Sequence, residues 1–265
     1  MSTRASGCAI TAVIVLLVPL ILLRLIARPL IYPGSPLAFP PDLESRFPGA
    51  RLLRYASADG TKLEGALLRA ADPDALVAVY FHGNAESAAQ GLAWSEPLRR
   101  KNIGLFLPEL RGFGGLAGRP TEKHLYADGE AALAALRAQG VPPERTILLG
   151  RSLGTGLAVE LALRHPCAQL ILVSPYTSMT DLGRTLVGPL APLLVPDRYD
   201  SLSKIARLRA PVVILHGTRD EVIPVRMGRA LAAAGKGVRF IEVPEAMHNE
   251  FPGLEELVLG VIGRW

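Results

Sequence analysis

The stretch TILLGRSLGTG, running from Thr146 to Gly156, joins a short apolar run to helix-forming residues through the pattern Gly-x-Ser-x-Gly. Ile147 to Leu149 are all apolar and β-compatible. A run this short, closed by a glycine, reads as a strand buried on both faces rather than as a helix. The residues after Gly154 have helical character up to about 165. A serine held between glycines at a strand-to-helix turn is a nucleophile elbow, because the sharp turn lifts the hydroxyl above the sheet edge. The start of the following helix favours negative charge developing beside it. The pentapeptide gains its meaning from this strand–turn–helix setting.

Working outward, the same apolar character recurs at 76–81 (LVAVYF), 103–107, 170–173, 212–215 and 238–243. Helical segments fall near 86–100, 121–139, 153–165, 224–235 and 253–263. Arg51 to Ser57 and Leu63 to Arg69 flank Asp59-Gly60, a turn signal that predicts an opening β-hairpin. Strands alternating with helices predict an α/β fold with a mostly parallel sheet and helices on both faces. Residues 174–210 break the rhythm: Pro175, Pro189, Pro192 and Pro196 interrupt them, and no strand is evident. They are expected to form a short cap insertion, with a long surface loop as the alternative.

A serine nucleophile needs a base, and the base needs an acid to orient it. For an elbow of this kind the chain order is serine, acid, histidine, with the latter two on loops after later strands. Asp220, in HGTRDEVIP (216–224), and His248, in PEAMHNEF (244–251), satisfy that order. Glu221 is the rival acid. His82, His124, His165 and His216 lie before the acid in the chain, and no two histidines have metal-ligand spacing. An oxyanion needs two donors. The N–H of Leu153 supplies one, and the second is placed at Asn84 in the loop FHGNA (81–85), with Ala85 as the alternative. His82 is expected to brace that loop. The reading calls for no cofactor or metal.

At the other end of the chain, Cys8 to Leu23 reads CAITAVIVLLVPLILL without a charge. Extended to Ile26 it approaches the ~20 residues that cross a bilayer. The expectation is an N-terminal transmembrane helix within residues 1–27, acting as a single-pass membrane anchor, with a cleaved signal or a buried helix as alternatives. Arginines on both flanks leave its orientation open. Residues 28–50, rich in proline, read as an extended linker, and 51–265 as the catalytic domain. The 265-residue chain is 49% hydrophobic and carries a net charge of +5 from scattered arginines. No basic run with interleaved aromatics supports nucleic-acid binding. Two cysteines, Cys8 and Cys167, give no reason to expect a structural disulfide.

HGNA (82–85), ELRGFGG (109–115), PTEKHLYADGEAAL (120–133), GRSLGTG (150–156), SPYTSMTDL (174–182) and HGTRDEVIP together resemble one branch of the α/β-hydrolase superfamily. That branch holds membrane-anchored serine hydrolases, among them eukaryotic depalmitoylases and lysophospholipid hydrolases with bacterial relatives. It is grouped with serine aminopeptidase-like hydrolases. The resemblance covers roughly residues 50–265. It implies an α/β-hydrolase fold, triad roles for Ser152, Asp220 and His248, and oxyanion donors at Asn84 and Leu153. In one departure, Glu86-Ser87 follows HGNA where relatives often carry a glycine. The expected substrate is an acyl ester or thioester. Leu186, Leu190, Leu193 and Leu194 of the cap would suit an acyl chain drawn from a nearby membrane. A peptidase using one of Asp181, Asp197 or Asp200 to hold a substrate amine is the second reading, and a catalytically silent binding module the third.

Overall fold

The computed structural model describes residues 28, 29 and 31–263. Their strands form one eight-stranded sheet: β1 (Ala50–Ala56), β2 (Lys62–Leu68), β3 (Val77–Phe81), β4 (Gly104–Pro108), β5 (Thr146–Arg151), β6 (Gln169–Val173), β7 (Val212–Gly217) and β8 (Arg239–Val243). The spatial order is β1-β2-β4-β3-β5-β6-β7-β8. β1 and β2 form the expected hairpin and β2 meets β4 antiparallel, while every pairing beyond that is parallel. β3, β4, β5, β6 and β7 are apolar throughout or nearly so, because helices cover both of their faces.

Alternate residues of β3 show the two layers. Val77, Val79 and Phe81 enter one core with Leu125 and Leu133 of α2 (Glu122–Ala138), where α1 is Ser95–Arg100. Leu157 and Leu161 of α3 (Leu153–Arg164) join the same core. Ala78 and Tyr80 enter the opposite core with Leu98 of α1. Residues 174–210 contribute α4 (Met179–Val187). The last two helices divide between the faces: α5 (Val225–Ala234) sends Leu231 into the first core, and α6 (Leu254–Val261) sends Val258 into the second.

Register decides where the chemistry falls. Phe81 pairs with Gly150, Arg151 with Val173, and Gly217 with Val243. The loops after β3, β5, β7 and β8 therefore leave the sheet along one carboxyl edge, where folds of this type place ligands.

Some elements differ from the sequence reading. Residues 86–100 do not form one helix: a 3₁₀ segment covers Ala88–Trp94 and α1 begins at Ser95. Pro97 explains the break, since its ring clashes with the preceding turn of a continuing helix and is tolerated only in a first turn. The 174–210 segment is mostly helical, with α4 followed by a 3₁₀ turn at Gly188–Leu190 and single helical turns at Ala191–Leu194 and Leu202–Ile205. The proline-rich stretch lies along the domain: Tyr32, Phe39 and Leu43 are buried, and the Tyr32 and Tyr199 hydroxyls share a 3.0 Å hydrogen bond. The expected anchor at 1–27 lies outside the described residues, among which no helix is long and apolar enough to cross a membrane.

Arg111, in the loop after β4, ties three elements together. Its Nε and Nη2 donate to Asp128 of α2 at 3.0 and 2.6 Å, and its Nη1 donates to Asp59 of the hairpin turn. Arg111 and Asp128 are buried, whereas Asp59 is exposed. Removing one member of a buried pair leaves the other charged and unsolvated. Asp128→Ala is therefore expected to destabilise the fold by about 3–5 kcal/mol in urea unfolding, and Asp59→Ala far less. Equal losses would show that burial does not govern this network.

Candidate active site

Ser152 adopts φ +49° and ψ −119°, a backbone region costly for any residue with a Cβ. Neighbouring contacts hold it there. Its N–H donates to the carbonyl of Val173 at 3.0 Å, and α3 begins at the next residue. The two glycines of the motif are required by close approach. A Cβ on Gly150 would lie 2.6 Å from the carbonyl oxygen of Gly154, and one on Gly154 would lie 2.1 Å from that of Phe81.

The loops after β7 and β8 deliver the partners. His248 Nε2 lies 3.0 Å from Ser152 Oγ, and its Nδ1 lies 2.9 and 3.1 Å from the two Asp220 oxygens. An ionised carboxylate only accepts, so Nδ1 carries the ring proton and Nε2 is left to accept from the serine hydroxyl. All three side chains are largely buried. Burial alone would raise the Asp220 pKa. The bond from His248 and the Ile223 N–H (2.7 Å) outweigh it and hold the carboxyl below the usual range. Glu221 takes a different position: its carboxylate accepts the backbone N–H of His248 at 3.2 Å. Of the two rival acids, Asp220 alone meets the imidazole.

The other histidines are engaged elsewhere. His216 donates from Nε2 to the carbonyl of Ile223 at 2.8 Å, and burial lowers its pKa, so it stays neutral beside Asp220. His165 pairs with Glu130, and His124 bonds the carbonyl of Arg119. His82 sits in the loop after β3, with Nδ1 2.8 Å from the Gly83 carbonyl oxygen and Nε2 3.0 Å from buried Glu109.

That loop passes against Ser152, since a Cβ on Gly83 would lie 3.5 Å from the Cβ of Ser152. With the Gly83 carbonyl held by His82, planarity of the trans peptide turns the N–H of Asn84 away from His82. Leu153 is the first residue of α3, so its N–H has no intrahelical acceptor. Sequence reading missed Glu109, Glu86 and Arg151. Glu86 accepts from the Gly83 N–H and pairs with Arg151, which also donates to the carbonyl of His248. Only the departure at Glu86-Ser87 marked the place. A cleft of about 880 Å³ bordered by Tyr126, Glu130 and Arg164 includes none of Ser152, Asp220 or His248.

With this geometry in view, residues 71–200 match the protein-family model described as serine aminopeptidase, S33. An uncharacterized protein of Mycobacterium tuberculosis is 34% identical over 215 residues, covering 79% of this chain and 76% of that one. The chain belongs to the α/β-hydrolase superfamily. It is also 39% identical over 176 residues to human alpha/beta hydrolase domain-containing protein 17B, covering 65% of this chain and 60% of the relative. An esterase from Pyrococcus furiosus shares the fold with a TM-score of 0.69 at 17% identity, covering 88% of this chain and 97% of that one. An α/β hydrolase from Vibrio vulnificus does so at 0.69 and 22%, covering 82% and 81%. As a hydrolase of this superfamily, the protein is a serine-hydrolase-type enzyme.

Asp220 also predicts a pH effect. A carboxyl whose folded pKa lies below its unfolded value of about 3.9 adds stability above that value and loses it as pH falls through the folded pKa. Asp220→Asn should therefore show a shallower loss of unfolding free energy than wild type between roughly pH 4 and the acid transition. Parallel curves would place the carboxylate's interactions in the unfolded chain as well.

Proposed function

We propose that the protein cleaves acyl esters or thioesters through an acyl-enzyme on Ser152, with His248 as base and Asp220 as its orienting acid. The observation that carries this reading is the unbroken hydrogen-bond chain from Ser152 Oγ through His248 to Asp220, set on a strained elbow. His248 Nε2 takes the hydroxyl proton as Oγ attacks the acyl carbonyl. Asp220 stabilises the imidazolium that results, and His248 then gives the proton to the leaving alcohol or thiol. The tetrahedral oxyanion accepts from the N–H groups of Leu153 and Asn84. Each such donor is worth about 3–4 kcal/mol of barrier in comparable sites. Water, deprotonated by the same imidazole, releases the acyl group.

The cap supports a lipid-like acyl group. Leu186, Val187, Leu190, Leu193 and Leu202 are five of the seven large apolar side chains exposed among the described residues, and Leu186 is 82% exposed. Exposed apolar surface of this kind marks a place for apolar partners. The apolar sequence of residues 8–26 suits a single-pass anchor that would hold this cap near a bilayer. For a peptidase, an acid would have to be free to hold an amine. Asp181 accepts from Thr177 and pairs with Arg184, Asp197 accepts the Glu122 N–H, and Asp200 pairs with Arg198. These bonds within and around the cap favour the ester reading.

Hydrolysis of p-nitrophenyl esters from acetyl to decanoyl tests it. With each buried methylene worth about 0.8 kcal/mol, kcat/KM should rise at least about tenfold across the series, and Ser152→Ala should abolish turnover. A strict preference for acetyl would contradict the lipid-like substrate. Cleavage of aminoacyl p-nitroanilides by a protein inert to every ester would contradict the ester reading itself.

A further inference from the structure

Glu86 and Arg151 stand outside the hydrogen-bond chain of Ser152, His248 and Asp220, yet they touch the loops on both sides of it. Glu86 Oε2 accepts from the N–H of Gly83 at 2.9 Å and from the hydroxyl of Tyr80 at 3.0 Å. Burial pushes the Tyr80 hydroxyl up to about 12, so it remains a donor. Glu86 Oε1 forms an ion pair with Arg151 Nη1. Arg151 Nη2 donates to the carbonyl oxygen of His248 at 2.8 Å and approaches Asn249 Oδ1 at 3.4 Å. Both charged side chains are mostly buried, at 18% and 15% exposure.

We propose that Glu86 and Arg151 are a positioning pair that locks the oxyanion loop to the His248 loop across the nucleophile. This rests on the serine-hydrolase reading above. Gly83 is the most pliable residue of its loop, and both of its peptide planes are fastened: its carbonyl by His82, its N–H by Glu86. That fixes the direction of the Asn84 N–H. His248 is fastened in the same manner, its N–H by Glu221 and its carbonyl by Arg151. Arg151 precedes Ser152, so one guanidinium reaches both loops from the base of the elbow. The pair is neutral overall and adds no net charge beside the developing oxyanion.

Either partner alone does not hold the loops. Glu86→Gln leaves the guanidinium without its counter-ion and gives the Gly83 N–H a weaker, neutral acceptor in place of the carboxylate. Loss of Arg151 leaves a mostly buried carboxylate and frees the His248 carbonyl. The two losses act through one bridge, so they should not add.

Steady-state kinetics of the full chain on p-nitrophenyl butyrate test the proposal, using Glu86→Gln, Arg151→Met, the double variant and Arg151→Lys, with thermal melting to establish folding. Misplacement of catalytic groups by a fraction of an ångström predicts a kcat loss of about tenfold to a hundredfold in each single variant. KM should stay within about threefold, because the loss falls on the transition state. The double variant should match the worse single one. Arg151→Lys, still able to pair with Glu86, should recover part of kcat, and it carries the comparison with Glu86→Gln should Arg151→Met fail to fold. Wild-type kcat in folded Glu86→Gln and Arg151 variants, or losses that multiply in the double variant, would overturn the proposal. A folded wild type that neither turns over the ester nor reacts with a fluorophosphonate would instead overturn the hydrolase reading on which it rests.

Discussion

The approach of α3 to the end of β3 sets the rest of the site. Gly154 comes so near the Phe81 carbonyl that any side chain there would collide with backbone. Only at that separation can the chain turn from β5 into α3 within one residue, and that residue is Ser152 at positive φ. The strain is held by a sheet buried on both faces, by the Ser152 N–H bonded to Val173, and by Leu157 and Leu161 packed into the core beneath. Rigid packing of this kind is what lets a fold keep a costly backbone conformation at a working position. The same contact brings the helix N-terminus and the HGNA loop to Ser152.

Electrostatics then distribute protons. Asp220 is kept ionised by the imidazole and two backbone N–H groups, which fixes the His248 tautomer and aims Nε2 at the serine. His216, a second buried imidazole near the same carboxylate, is held neutral by burial and spends its Nε2 proton on Ile223. One imidazole nitrogen is thus aimed at one hydroxyl. Glu221, Glu86 and Arg151 bond backbone groups of the loops that carry Gly83 and His248.

Much of this could be read from the sequence, for physical reasons that also explain what could not. Strands buried on both faces have to be apolar without interruption, so β3 through β7 stood out, and chain order picked His248 and narrowed the acid to Asp220 or its neighbour Glu221. β5 extends past Leu149 to Arg151 because Gly150 and Arg151 still pair with Leu172 and Val173, which no composition signal reports. The 174–210 segment resisted reading because its helical turns are short, broken by proline and exposed on their apolar side, so no core imposes a period on them. Glu86 and Arg151 are 65 positions apart and bridge to a third loop at His248. Such a contact exists only once the parallel register has brought the strand ends together.

We infer that Ser152 is a nucleophile made reactive by this geometry. The most direct measurement is reaction of the full chain with a fluorophosphonate, followed by mass spectrometric mapping of the modified residue. A single adduct on Ser152 is expected, and none in a folded Ser152→Ala variant. A folded wild-type protein that stays unmodified, or an adduct that persists on another residue in Ser152→Ala, would contradict it.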